Sequence, residues 1–376
     1  MMAPQRAYSS DLKRRKFAQL LNFYPIEFKG NPLNLLFLED TTLIADPKKY
    51  IQLLNSPNLY DDTREFCLTA TRDWCFRSYS ISQSPDPTQI SEKLFTNYTD
   101  AHQFLITQSN LASLIEERAL KNKPDIVLLV VVDGLSFYDV LEWDQVEPCF
   151  VDGPSITEFG YINVRGDPPI SNRLFKMGYV TQQGYTYYNP DGDNLSYHFF
   201  DRFSSNRIEK VAEFSDILSH LASIKIRKGY IQIAAAGLDN LCHHHPGRPP
   251  IKAYIDQIKD FFQQIIHHFI EKGRSVLACL TSDHGILWKD YVPKDCKIVG
   301  SQFSGEIGSP RYLIGSLNRH FSKALITADG KAYSLLKFDY MIRQVRSNEW
   351  GVHGGLSAWE SIVPLLLKYY SPRGKK

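Results

Sequence analysis

The pattern of apolar positions changes character at about residue 125. Downstream of it, residues 126–132, 230–236 and 275–280 form apolar runs with little polar interruption. Strands buried on both faces of a parallel sheet read this way. Between the runs, Ile208, Val211, Phe214, Ile217, Leu218 and Leu221 recur at three- and four-residue spacing, as do Ile251, Ile255, Ile258, Phe262, Ile265, Phe269 and Ile270. Each set predicts an amphipathic helix. The second is opened by Pro249-Pro250 and closed by Gly273. Strands alternating with helices predict an α/β fold, a three-layer α/β/α sandwich.

Upstream the pattern is less regular. Short apolar runs such as residues 34–38 and scattered aromatics carry no chemical motif, and residues 82–87 read as a loop. A helix is expected over about residues 100–119, and Lys121-Asn122-Lys123-Pro124 makes a natural boundary before the first long strand. The expected division is an N-terminal accessory region over 1–120, a catalytic domain over 121–370 and a disordered tail over 371–376.

Composition adds little to this and excludes some classes. The 376 residues are 43% apolar and 22% charged, with a net charge of +2, so no global field argues for nucleic acid or a membrane. The basic cluster Arg6, Lys13, Arg14, Arg15 and Lys16 reads first as a solvated helix face. The N-terminus has no apolar h-region, and no stretch reaches the roughly 18 apolar residues of a membrane span, which predicts a cytoplasmic protein. Cys67, Cys75, Cys149, Cys242, Cys279 and Cys296 are scattered, which fits a reducing compartment and argues against a thiolate zinc site. Cys279 reads as packing. Cys242 reads as packing first and as a metal ligand second.

The candidate chemistry lies where the apolar runs end. Asp133 follows the first run, Asp239 and His243 the second, Asp283 and His284 the third, and His353 stands in Val352-His353-Gly354-Gly355. In open α/β sheets function gathers at the carboxyl ends of strands. Three carboxylates and three imidazoles suffice for two divalent cations such as zinc or manganese. Metal-assisted hydrolysis of a phosphate ester uses two cations about 4 Å apart. Thr157 follows Pro154-Ser155-Ile156, where a metal-activated hydroxyl nucleophile and a phosphate-binding helix start could coincide. Singly, these features are ordinary: Asp-Gly is a turn, Asp-His-Gly a strand end, and a threonine in this setting a helix cap. Their order along the chain is what points to a two-metal hydrolase. Alternatives stay open. His244 or His245 competes with His243, which only the four-residue spacing from Asp239 selects. Ser155 competes with Thr157. Asn163 and Arg165 are loose candidates for phosphate binding. Glu360 is either a strand-flanking charge or a buttress for the His353 loop.

With those residues in place, the chain resembles the alkaline phosphatase superfamily over roughly residues 121–370. The matching positions are Asp133 after the first core strand, Thr157 in Pro-x-x-Thr, Asp239 and His243 in Asp-x-x-x-His, Asp283-His284-Gly285, and a last His353. The run His353-Gly354-Gly355-Leu356-Ser357-Ala358-Trp359-Glu360-Ser361-Ile362-Val363-Pro364 resembles the closing motif of its PglZ-domain branch. The resemblance implies one metal on Asp239, His243 and His353 and another on Asp133, Asp283, His284 and the Thr157 oxygen. It also implies a phosphothreonine intermediate and two divalent ions, most often Zn2+, with Mn2+ as the alternative. The implied activity is that of a phosphodiesterase on nucleotides or oligonucleotides, in bacterial signalling or phage defence. Protein partners would dock through residues 1–120, and no membrane is involved. The competing class is a non-catalytic PglZ-like scaffold in a defence complex, in which ligands are normally lost; here every metal position and the nucleophile position hold a competent residue.

Overall fold

The structure is a computed structural model and describes residues 86–96, 98, 105–187, 208–211, 213–299, 303–327 and 330–372. Most of the N-terminal region, its basic cluster and residues 373–376 of the expected tail therefore lie outside the described residues. A helix at Pro87–Thr96, with the Asp86 carboxylate accepting from the Thr88 amide at 2.8 Å, replaces the end of the expected 82–87 loop. The site belongs to the compact unit Ile106–Lys376. Helix α1, Gln108–Asn122, placed ahead of the boundary by the sequence reading, lies within this unit.

An eight-stranded sheet forms the middle layer. Its members are β1 (Ile106–Thr107), β2 (Ile126–Val132), β3 (Glu147–Phe150), β4 (Thr181–Tyr187), β5 (Ile208–Val211), β6 (Gly229–Ala235), β7 (Val276–Ser282) and a last strand, β16 (Ile362–Tyr370), in the order β1-β3-β16-β7-β2-β6-β4-β5. The three apolar runs are its central strands β6, β2 and β7, mutually parallel and buried at every position.

Alternate residues of β2 feed two separate cores. Ile126, Leu128, Val130 and Val132 pack with helices α4 (Phe214–Ser223) and α6 (Ile251–Glu271). Val127, Leu129 and Val131 pack on the other face with α1, α2 (Thr157–Arg165) and α3 (Ile170–Lys176). That is the α/β/α sandwich the alternation predicts. The helix expected across 208–221 begins only at Phe214. Ile208 and Val211 are three apart in a strand that pairs with the edge of β4, so edge pairing overrides their helical spacing.

β16 runs antiparallel between β3 and β7, with Leu366 opposite Leu280 and Tyr370 opposite Val276. Its first residue therefore lies at the carboxyl end of β7. Whatever immediately precedes β16 is delivered to the edge where Asp133 and Asp283 emerge. Between β7 and β16 in the chain stand two short strand pairs, β8 (Leu287–Trp288) with β15 (Gly351–Val352) and β9 (Lys297–Ile298) with β14 (Tyr340–Met341), and a second, four-stranded antiparallel sheet of β10 (Ser304–Ser309), β11 (Tyr312–Ser316), β12 (Ser322–Ile326) and β13 (Ala332–Leu336). No described helix is long and apolar enough to cross a membrane.

Candidate metal centre

Asp133 is the first residue past β2, and its amide donates to the Ala235 carbonyl at 2.8 Å. Gly134 then turns with φ +86°, a conformation that favours glycine. Asp283 and His284 leave β7 beside it. Ser282 ties the two strand ends: its hydroxyl donates to the Val132 carbonyl and accepts from the Leu135 amide at 3.0 Å. The Asp283 Oδ1 accepts from the amides of His284 at 2.9 Å and Gly134 at 3.3 Å, which leaves Oδ2 turned inward. Asp239 and His243 lie one helical turn apart on α5 (Gly237–His244), which follows β6, and His353 arrives on the loop ahead of β16.

Two groupings result. Asp239, His243 and His353 form one; Asp133, Asp283 and His284 form the other. In each, one ligand atom per residue lies within 4.8 Å of the others. Asp239 Oδ1 is 3.2 Å from His243 Nε2 and 3.4 Å from His353 Nε2, and those two nitrogens are 3.3 Å apart. His284 Nε2 is 3.4 Å from Asp133 Oδ1 and 3.7 Å from Asp283 Oδ2. The rings of His284 and His353 stack with centroids 4.2 Å apart, so the groupings adjoin.

The ring tautomers follow from the partners. His353 Nδ1 meets the Ser155 carbonyl at 3.1 Å and His284 Nδ1 the Gly285 carbonyl at 3.1 Å. A carbonyl only accepts, so both Nδ1 atoms carry the proton and both Nε2 lone pairs face the site. Three carboxylate oxygens, Asp133 Oδ1, Asp239 Oδ1 and Asp283 Oδ2, are buried and receive no hydrogen bond. Bare carboxylate oxygens converging with imidazole lone pairs are costly without a counter-charge and match the donor set of zinc or manganese. The residues present therefore fit two divalent cations.

The charge states carry the same tension. Burial pushes the Asp133 carboxyl well above the usual carboxylate range, helped by the facing Asp283 and Asp239. Burial likewise lifts Asp283 to about 7 and drops His353 to about 4. Asp239 is also pushed up by burial, but its ion pair with the close His243 outweighs this and holds it below the usual range, with His353 and His284 acting in the same sense when protonated.

Thr157 opens α2, and its hydroxyl lies 3.2 Å from His284 Nε2. With that nitrogen unprotonated, the hydroxyl is the donor. The first amides of α2 have no partner inside the helix, as at any helix start. Ser155 is used differently. Its hydroxyl donates to the Gly355 carbonyl at 3.2 Å while its own carbonyl holds His353. His245 Nδ1 is engaged with Gly247, 2.8 Å from its carbonyl. Asn163 Nδ2 donates to the Asp152 carbonyl, and Arg165 lies eight residues along α2, about 12 Å from Thr157 at a helical rise per residue. Cys242 is wholly buried in the α6-side core and belongs to neither grouping.

Some residues that build the site carry no local sequence signal. Gln108, fully buried at the start of α1, donates through Nε2 to the carbonyls of Ser282 at 2.8 Å and Asp283 at 2.6 Å. Gly160 brings α2 against the Asp283 backbone so closely that a Cβ would run into the carbonyl. Glu360, by contrast, is open to two readings in the sequence: it is buried and accepts from the amides of Gly355 at 2.8 Å and Ser357 at 3.1 Å, so it buttresses the turn after His353 and is not a strand-flanking charge.

No protein-family model matches the chain, and no curated protein is similar to it. Among solved structures, it is similar to human ectonucleotide pyrophosphatase/phosphodiesterase 5, with 12% identity and a TM-score of 0.41 over 64% of this chain and 87% of that one. It is similar to phosphonoacetate hydrolase from Sinorhizobium meliloti in complex with phosphonoformate, with 12% identity and a TM-score of 0.45 over 65% and 90%. It is also similar to the C-terminal periplasmic domain of EptC from Escherichia coli in complex with Zn, with 14% identity and a TM-score of 0.30 over 43% and 64%.

Proposed function

We propose that this protein is a metal-dependent phosphoesterase that cleaves phosphodiesters of nucleotides or oligonucleotides through Thr157. The observation that carries the reading is the pair of ligand groupings with three bare carboxylate oxygens, set beside a threonine hydroxyl at a helix start. Asp239, His243 and His353 would hold one cation, and Asp133, Asp283 and His284 with the Thr157 oxygen the other. Bound there, the cations would lower the proton affinity of a coordinated hydroxyl or water and offset charge on the phosphoryl oxygens.

The chain's own residues do the rest. Thr157 gives up its hydroxyl proton to solvent and presents its oxygen to phosphorus; the Thr–O–P bond forms as the P–O bond to the leaving group breaks, the departing oxygen takes a proton from water to leave as the alcohol, and water then cleaves the phosphothreonine to the phosphomonoester and the free hydroxyl. The amides at the start of α2 bind non-bridging oxygens. Ser155 and Gly285 fix the rings of His353 and His284 through their carbonyls. We place the chain in the PglZ branch on its closing motif, with zinc as the resident metal. The proposed compartment is the cytoplasm, where free thiols such as Cys149, Cys242 and Cys279 are stable. The N-terminal region is proposed as the docking surface for partners in phage defence.

Elemental analysis paired with hydrolysis of bis-p-nitrophenyl phosphate and p-nitrophenyl phosphate tests the reading. Up to two divalent ions per chain and faster turnover of the diester are expected. Asp239→Ala and Asp283→Ala should each weaken metal binding by about tenfold or more. Full metal occupancy in both variants would sink the ligand assignment.

A further inference from the structure

The loop that carries His353 is held by two residues that stay outside the site. Arg311 and Glu360 are both 0% exposed. They meet as a fork, with Arg311 Nε 3.1 and 3.2 Å from the Glu360 oxygens and Nη2 2.9 Å from Oε2. Each then holds backbone. Glu360 takes the amides of Gly355 and Ser357. Arg311 donates to the carbonyls of Leu336 at 3.2 Å, Lys337 at 2.9 Å and Phe338 at 3.3 Å, and to that of Tyr340. Gly355 sits so close that a Cβ there would lie 2.7 Å from Nη2. Two residues upstream, the Ser309 hydroxyl accepts from the Arg311 amide at 3.0 Å and donates to the His353 carbonyl at 2.7 Å. The ring of His353 is fixed by Ser155, its carbonyl by Ser309 and the turn after it by Glu360.

A buried ion pair adds little to stability over apolar residues of the same size. What this one adds is direction: a planar fork with every remaining donor spent on main-chain carbonyls. We infer that Arg311 and Glu360 are a positioning pair, which ties the His353 loop to the four-stranded sheet and thereby sets the affinity of the Asp239–His243–His353 grouping for its cation. The inference rests on reading the two groupings as metal sites. It separates them because, of the two groupings, only the one that includes His353 stands on a loop that the pair's side-chain hydrogen bonds reach. The main-chain carbonyl of Glu360, which accepts from the Gly285 amide at 3.0 Å, survives any side-chain substitution.

The test is a calorimetric titration with Mn2+ or Zn2+, with elemental analysis and thermal melts, on wild type, Arg311→Lys, Glu360→Gln and Ser309→Ala. His353→Ala and Asp283→Ala serve as references for loss of one cation or the other. Arg311→Lys keeps the charge but loses the fork. The expected result is that Arg311→Lys and Glu360→Gln keep the cation that Asp283→Ala loses, at wild-type affinity. They should bind the other roughly ten- to a hundredfold more weakly. Adding Glu360→Gln to His353→Ala should cost no further metal affinity. A merely structural role predicts lower melting temperatures with both affinities unchanged, or both reduced together, and either outcome overturns the inference. If the two charge variants do not fold, Ser309→Ala, which strands no buried charge, decides by the same selective loss at smaller size or by unchanged affinities. Two cations bound by wild type with no selectivity among the variants sinks the inference alone. A wild type that binds none sinks the metal reading with it.

Discussion

Thr157 separates an enzyme from a scaffold. Its hydroxyl is placed against His284, and the change to alanine removes only that oxygen and a methyl, so Thr157→Ala should retain both metals and the melting temperature yet abolish hydrolysis of bis-p-nitrophenyl phosphate. Thr157→Ser keeps the hydroxyl and should keep measurable turnover. Wild-type rates in Thr157→Ala would reduce Thr157 to a helix residue. The histidine triplet can be tested on similar grounds. His243 faces Asp239 and His353, whereas His245 is turned to Gly247 and its carbonyl accepts from Trp350 Nε1 at 3.1 Å. His243→Ala should therefore cost far more metal affinity and activity than His244→Ala or His245→Ala. A damaging His245→Ala with an innocuous His243→Ala would reassign the ligand. Candidate ligands were legible because each of Asp133, Asp239 and Asp283 follows an apolar run, and His353 because it opens a recognisable motif. Gln108 and Arg311 were not. Their partners lie 175 and 49 residues away, and a polar side chain whose role is decided by such partners leaves no periodicity behind.

Close approach of helix to strand decides the geometry at the level of elements. α2 reaches the end of β7 only because position 160 has no side chain. Gly160→Ala would push the helix off the Asp283 backbone, carrying Thr157 with it. Overpacking of this kind costs about 1–3 kcal/mol or more, so a lower urea midpoint is expected, together with a loss of turnover larger than the loss of stability explains. An unchanged midpoint and unchanged activity would show that α2 has slack the structure denies it. The elements that sequence pattern located, β2, β6, β7 and α6, are long, strongly apolar or strongly periodic, and α6 buries eight side chains along one stripe. The elements it missed lack that contrast. β10 is exposed at nearly every position, and the four-stranded sheet it edges holds polar residues and glycines where an apolar run would have announced it. β5 reads as the start of a helix because its apolar ends, Ile208 and Val211, stand three apart, which matches the helical period and not the strand period of two, and only the neighbouring edge of β4 settles the matter.

Taken whole, the unit spends stability on its site, and the cost should depend on pH. Without metal, Asp133 and Asp283 hold protons more tightly folded than unfolded, Asp283 at about 7 against an ordinary 3.8. Burial lifts Asp139 in the same way to about 7. His243, held up by Asp239, is raised from 6.5. A group whose folded pKa is raised gives up stability as pH climbs through that value. The lowered pKa values of His353 and His284 act in the opposite sense, but only below their ordinary 6.5. Above 6.5 the raised carboxyls and His243 therefore act one way: the chelated protein should melt at progressively lower temperature between pH 6.5 and about 8. Metal binding needs these ligands deprotonated, so the rise in melting temperature on adding Mn2+ should grow over the same interval. Melts in chelator and in Mn2+ at three pH values across it supply the measurement. A chelated protein that grows more stable with pH, or a metal-induced rise that stays constant, would mean that the six ligands do not meet as free carboxylates and lone pairs around shared cations. The fold would then carry the same strand ends for some purpose other than binding metal.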